Sequence, residues 1–77
     1  MKDLLETIAR ALVDAPEAVR VSADEGPNGR VLYEIKVDPK DVGKIIGRQG
    51  RVIKAIRAVT KACAVRDGKK VLVELAE

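Results

Sequence analysis

The sequence predicts an α+β fold in the order α-β-β-α-α-β, a three-stranded mixed sheet packed against three helices, as one domain over residues 1–77. Three features predict it. Apolar residues recur at helical spacing near the N-terminus, two strictly alternating runs flank a Gly/Pro/Asn turn, and a second helical region broken by glycines precedes a last alternating run. At 77 residues, 47% hydrophobic and 35% charged, the chain has the composition of a folded domain with a single modest core.

In the first element, Leu4, Leu5, Ile8, Leu12 and Val13 mark one helical face between Asp3, read as the N-cap, and Pro16, read as the stop. Val19 and Val21 then alternate with Arg20 and Ser22, and Val31, Tyr33, Ile35 and Val37 alternate with Leu32, Glu34 and Lys36. The Asp24–Gly29 stretch, DEGPNG, supplies turn chemistry between these two strands, so they read as a hairpin. Asp38 and Pro39 read as N-cap and first helical position of a short helix ended by Gly47. A longer helix follows from Gly50 or Arg51 to about Cys63, then an Asp67-Gly68 turn and a last strand carrying Val71, Val73 and Leu75. Projected at about 100° per residue, Val52, Ile53, Ile56, Val59 and Cys63 form the apolar stripe of that helix, with Arg51, Lys54, Arg57 and Lys61 opposite.

Charge is distributed unevenly. Residues 1–39 hold five Lys/Arg against eight Asp/Glu, whereas residues 40–77 hold ten against four. Between Lys44 and Lys61 six cations occur without one acid, a positive field that selects for anions. The chain has no histidine and one cysteine, Cys63, so neither a usual zinc site nor an internal disulfide is expected, and Cys63 reads as a buried helix residue. The acids near the N-terminus do not fit a signal peptide and no apolar run reaches about 20 residues, so the cytoplasm is the expected compartment.

The most informative stretch is VGKIIGRQGRVIK, Val42–Lys54. Glycine at 47 and 50 interrupts helix-forming residues, with only Arg48 and Gln49 between them. The segment IIGRQGRVI, Ile45–Ile53, resembles the aliphatic-Ile-Gly-x-x-Gly-x-x-Ile signature of the KH domain, with Gly47-Arg48-Gln49-Gly50 as the G-x-x-G loop. A helix and two strands before the loop, with a helix and a strand after it, resemble the type II arrangement. The likeness extends over essentially the whole chain and is greatest to the small bacterial single-KH proteins of the KhpA family. It implies cytoplasmic binding of single-stranded RNA, a role in post-transcriptional regulation as an RNA chaperone, and a homodimer or a heterodimer with a second KH protein. No catalytic residue, metal or cofactor is implied.

The physical chemistry of the stretch fits that implication. A nucleic-acid backbone must approach the turn closely, which glycine allows because it has no Cβ. Amides at the start of the second helix can meet a phosphate, aided by the helix dipole and Arg48. The expected binding residues are Gly43, Lys44, Ile46, Gly47, Arg48, Gln49, Gly50, Arg51 and Lys54. Gly43 leaves room for a base, Ile46 and Val52 supply apolar wall, and Lys44, Arg51 and Lys54 hold phosphates. About four nucleotides fit such a clamp. Tyr33 is the one aromatic residue, so aromatic stacking platforms are absent and binding is expected to be weak and electrostatic.

Other readings fit less of the chain. A helix-turn-helix DNA reader accounts for the turn and basic helix but not the preceding hairpin. Catalysis is disfavoured by the lack of histidine, of a Gly-Lys-Ser/Thr phosphate loop, and of any Ser or Thr beyond Ser22, Thr7 and Thr60. A subunit of a KH heterodimer with little RNA binding of its own, and a single-stranded DNA-binding module, are the alternatives that keep the fold.

Overall fold

Helix α1 (Lys2–Leu12) packs Leu5 and Ala9, both fully buried, against the sheet, with Thr7 donating its hydroxyl hydrogen to the Asp3 carbonyl at 2.8 Å. The computed structural model describes residues 1–76, so Glu77, the predicted end of the domain, lies outside the described residues. Asp3 is not the N-cap as expected. Met1 holds that position without a side-chain cap bond, and Asp3 sits in the first turn, where its charge still complements the helix dipole.

Strands β1 (Arg20–Glu25) and β2 (Arg30–Lys36) form the predicted hairpin, antiparallel with Val21 opposite Ile35 and Glu25 opposite Val31. The turn Pro27–Gly29 works as its composition requires: Asn28 (φ 64°) and Gly29 (φ 71°) take the left-handed conformations that Asn and Gly tolerate best. Strand β3 (Lys70–Leu75) joins the other side of β2 in parallel, Tyr33 opposite Val73, giving the order β1-β2-β3 and a mixed sheet.

A 3₁₀ turn, Pro39–Asp41, precedes helix α2 (Val42–Ile46); Asp38 caps that turn by accepting from the Lys40 amide at 3.0 Å, and Asp41 rather than the expected Asp38 holds the N-cap position of α2. Helix α3 (Arg51–Arg66) runs three residues beyond the predicted end at Cys63. The three helices share one face of the sheet. Ile35 and Ile45 are wholly buried between the layers with Leu5, Val19 and Val73, and each such side chain contributes about 1.5–3 kcal/mol of transfer free energy. No helix is long and apolar enough to cross a membrane among the described residues.

The stripe predicted for α3 needs correction. Ile53, Ile56, Thr60 and Ala64 are its buried residues, whereas Val59 is 49% exposed and Cys63 only half-buried. At about 100° per residue the buried face is centred about 55° round from the predicted stripe, towards Arg57. Thr60 enters the core at no hydrogen-bonding cost because its hydroxyl donates to the Ile56 carbonyl at 2.7 Å.

Beneath α2 lies a buried charge that sequence reading passed over. Asp41 is fully buried; its Oδ2 accepts from the Ala15 amide at 3.1 Å and its Oδ1 from Lys44 Nζ at 3.2 Å. Burial pushes the Asp41 carboxyl up, but the Ala15 and Asp14 amides and the Lys44 ammonium outweigh it and hold the group below its ordinary value. Lys44 also pairs with Asp14, and hydrogen bonds to Asp14 and then Asp41 raise its pKa. The Asp41 contribution is therefore present above the ordinary carboxylate pKa and is lost as pH falls through the lowered folded value. That of Lys44 is present below the ordinary lysine pKa and is lost as pH rises through its raised value. Thermal unfolding followed across pH should show both limbs, and Asp41→Asn should flatten the acid limb; an unchanged acid limb in that variant would contradict this assignment.

Candidate nucleic-acid interface

The turn between α2 and α3 is built on backbone that glycine alone adopts freely. Gly47 has φ 74° and ψ 175°, Gln49 φ 57° and ψ 26°, and Gly50 φ 72° and ψ 16°. The Gly47 amide closes α2 on the Gly43 carbonyl at 2.8 Å, and the Gly50 amide closes the turn on the Gly47 carbonyl at 3.1 Å. Gly47 is required twice over, because a Cβ there would lie 2.3 Å from Val52 Cγ2. Val52 thus forms the support of the turn rather than the apolar wall expected of it.

Arg48 and Gln49 project as exposed residues from the tip of the turn, at the head of α3, where the first amides of a helix have no intrahelical acceptor. Gln49 Oε1 sits 3.5 Å from Arg51 Nη2, a long contact that leaves the Arg51 guanidinium essentially free. Arg51 and Lys54 are exposed one helical turn apart at the start of α3, where the dipole of a 16-residue helix adds to their field. Arg48, Gln49, Arg51 and Lys54 are thereby gathered at the turn and the first turn of α3.

Lys44 does not join them. Its ammonium is engaged by Asp14 and Asp41 on the α1 side of α2, so its role in this structure is to tie the chain after α1 to α2. Gly43 is exposed, and a Cβ built on it would meet nothing within 4 Å. Ile46, expected as apolar wall, is half-buried and lines a groove of ≈ 390 Å³ with Ile53, Arg57, Glu74 and Leu75. Ile53 serves both core and groove.

Arg57, which sequence shows only as one cation of the basic stripe and which is not among the expected binding residues, lines the same groove. Its Nε donates to the Val73 carbonyl at 3.0 Å, fastening α3 to β3 across the groove. The signal that could have found it was the angular position of Arg57, nearest of the four stripe cations to the true buried face.

Comparison with known proteins bears on this geometry. Residues 2–75 match the model of the KhpA/KhpB KH domain. The RNA-binding protein KhpA of Clostridium acetobutylicum is 56% identical over 75 residues, 97% of this chain and 99% of that protein. The RNA-binding protein KhpA of Aquifex aeolicus is 42% identical over 77 residues, 100% of this chain and 96% of its own. Among solved structures, Aquifex aeolicus Era superposes with a TM-score of 0.61 at 22% identity, over 96% of this chain but 28% of that longer one, which is a likeness of fold. An α+β chain with a mixed three-stranded sheet, three helices and a Gly47–Gly50 turn between the second and third is, on these matches, a type II KH domain, and the protein belongs to the KhpA/KhpB KH family, which is non-enzymatic.

Proposed function

We propose that the protein binds single-stranded RNA, gripping about four nucleotides between the Gly47–Gly50 turn and the groove beneath Ile46, and that it acts in post-transcriptional regulation as an RNA chaperone. The observation that carries the reading is the exposed Arg48-Gln49 tip of the glycine turn at the head of α3, set beside the cations of Arg48 itself and of Arg51 and Lys54 in the first turn of α3. That is the donor arrangement a phosphate requires. Relatives named as RNA-binding proteins across nearly their full length support the ligand class.

In this reading Arg48, Arg51 and Lys54 contact phosphates, Gly43 and Ile46 border the bases, and Lys44 is left out. Three contacts at about 0.7 each give an expected slope near −2 for log K against log salt with single-stranded RNA. Fluorescence anisotropy of a labelled short oligonucleotide across a salt series measures it, with the matching DNA as competitor. A slope near zero would contradict a phosphate clamp.

Gly43→Ala separates stability from binding in the same assay. The new methyl group meets no neighbour and improves helix propensity, so stability should rise by about 0.5–1 kcal/mol. If a base approaches α2 at this point, affinity falls even as the thermal midpoint rises. Tighter binding by the more stable variant would place the base elsewhere.

The heterodimer-subunit reading gains no comparable support. The exposed large hydrophobic residues, Leu4, Leu12, Val59, Val65 and Leu72, are spread over α1, α3 and β3 and single out no one face for a second chain.

A further inference from the structure

We propose that Arg57 is a specificity-determining residue, selecting in the groove a base whose edge presents two adjacent acceptors, cytosine or guanine, over uracil or adenine. The inference rests on the RNA-binding reading and adds to it which bases are preferred.

Among the described residues strand β3 pairs only with β2, so its other edge is open to the groove. A bare strand edge would offer a carbonyl there to the amino group of a base. Here Arg57 Nε occupies the Val73 carbonyl at 3.0 Å, and that position presents donors instead. The guanidinium is a planar fork of five N–H groups. Using Nε on Val73 fixes the plane of the fork and leaves the N–H groups of both terminal nitrogens. Among the described residues Arg57 forms no ion pair that would consume them.

The surroundings make that fork selective. Ile46, Ile53 and Leu75 line the same groove, so a base entering it exchanges water for apolar contact, and a mismatched polar edge is left without compensation. A fork with two parallel donors matches N3 and O2 of cytosine, or N7 and O6 of guanine. In uracil a donor, N3–H, separates the two carbonyls. In adenine each ring nitrogen near the exocyclic amino group is an acceptor beside a donor. Neither gives the fork two adjacent acceptors.

The test compares binding of a labelled six-nucleotide uridine RNA with versions carrying cytidine, guanosine or adenosine at the central positions. It uses wild type, Arg57→Lys and Arg57→Gln. Wild type is expected to prefer the cytidine or guanosine version over uridine by about 10-fold. Arg57→Lys keeps the charge and a donor for Val73 but not the fork, and should reduce that ratio to about 2-fold or less, as should Arg57→Gln. Preference for only one of the two bases would identify which edge is read and supports the proposal.

The ratio is the decisive readout, because a merely structural role of Arg57 would lower affinity for every oligonucleotide alike. A ratio maintained in both variants would overturn the proposal, as would a wild type that binds all four equally. Failure of wild type to bind any of them would instead overturn the RNA-binding reading on which the proposal stands.

Discussion

Gly47→Ala should destabilise the domain by about 3 kcal/mol or more, the largest effect of any single methyl group added to the turn. Two costs combine. A φ of 74° with ψ of 175° lies in a region essentially confined to glycine, which alone costs on the order of 1–3 kcal/mol for another residue. The Cβ would also lie 2.3 Å from Val52 Cγ2 and 3.0 Å from the Val52 amide nitrogen, so the start of α3 must move. Gly50→Ala is the internal control. Its φ of 72° is also positive, but a Cβ there meets nothing within 4 Å, so the cost should stay near 1–2 kcal/mol. Urea titration of both variants tests the difference; equal losses would mean that the Val52 contact relaxes freely. Any substitution of Gly47 consequently reports on folding before it reports on binding.

Arg48→Asp with Gln49→Asp should, in contrast, reduce RNA affinity by on the order of 100-fold while circular dichroism and the thermal midpoint stay close to wild type. Both side chains are exposed and neither is part of the core, and aspartate tolerates the left-handed conformation at position 49. The double change removes a cation and places two carboxylates at the exposed tip of the turn. It also lowers the net charge by three, and a control must carry the same change elsewhere. Lys69→Asp with Lys70→Gln does so at the start of β3, about five strand residues, or roughly 16 Å, from the groove end at Leu75. If the control loses affinity as severely as the loop variant, the interaction follows overall charge and the turn is not the site.

What was legible in the sequence divides by range. Elements whose signals are local were readable: the hairpin from alternation and the Pro27–Gly29 turn, and the turn at Gly47 from two glycines among helix formers, whereas Asp38-Pro39 opens the 3₁₀ turn before α2 rather than α2 itself. The Asp3 cap failed because a cap depends on where the first helical residue falls, and Lys2 already has that role. Val59 was assigned to the core because an apolar average over α3 ignores that Thr60 can satisfy its own hydroxyl and take the inner position.

The site was legible where it is contiguous and obscure where it is assembled across the fold. Gly47, Arg48, Gln49, Gly50, Arg51 and Lys54 adjoin in sequence and in space. Lys44 stood in an acid-free window, yet its partner Asp14 lies 30 residues away, and no local charge count can register that pairing. Asp41, three residues from Lys44, carries no local sequence signal of burial, because the Ala15 amide that its carboxylate accepts from lies 26 residues away. Arg57 was visible as one cation of a stripe, whereas its bond to Val73 required knowing which strand lies beside α3.

The central claim is that RNA engages the Gly47–Gly50 turn and the adjoining groove, and amide-resolved NMR of the ¹⁵N-labelled protein titrated with a short single-stranded RNA tests it most directly. The account predicts that the largest shifts fall on Arg48, Gln49, Gly50 and Arg51, with smaller ones at Ile46, Arg57 and Leu75. Shifts centred instead on the open face of the sheet around Leu32 and Leu72, or on the far end of α3 near Lys61 and Arg66, with the turn unmoved, would contradict it.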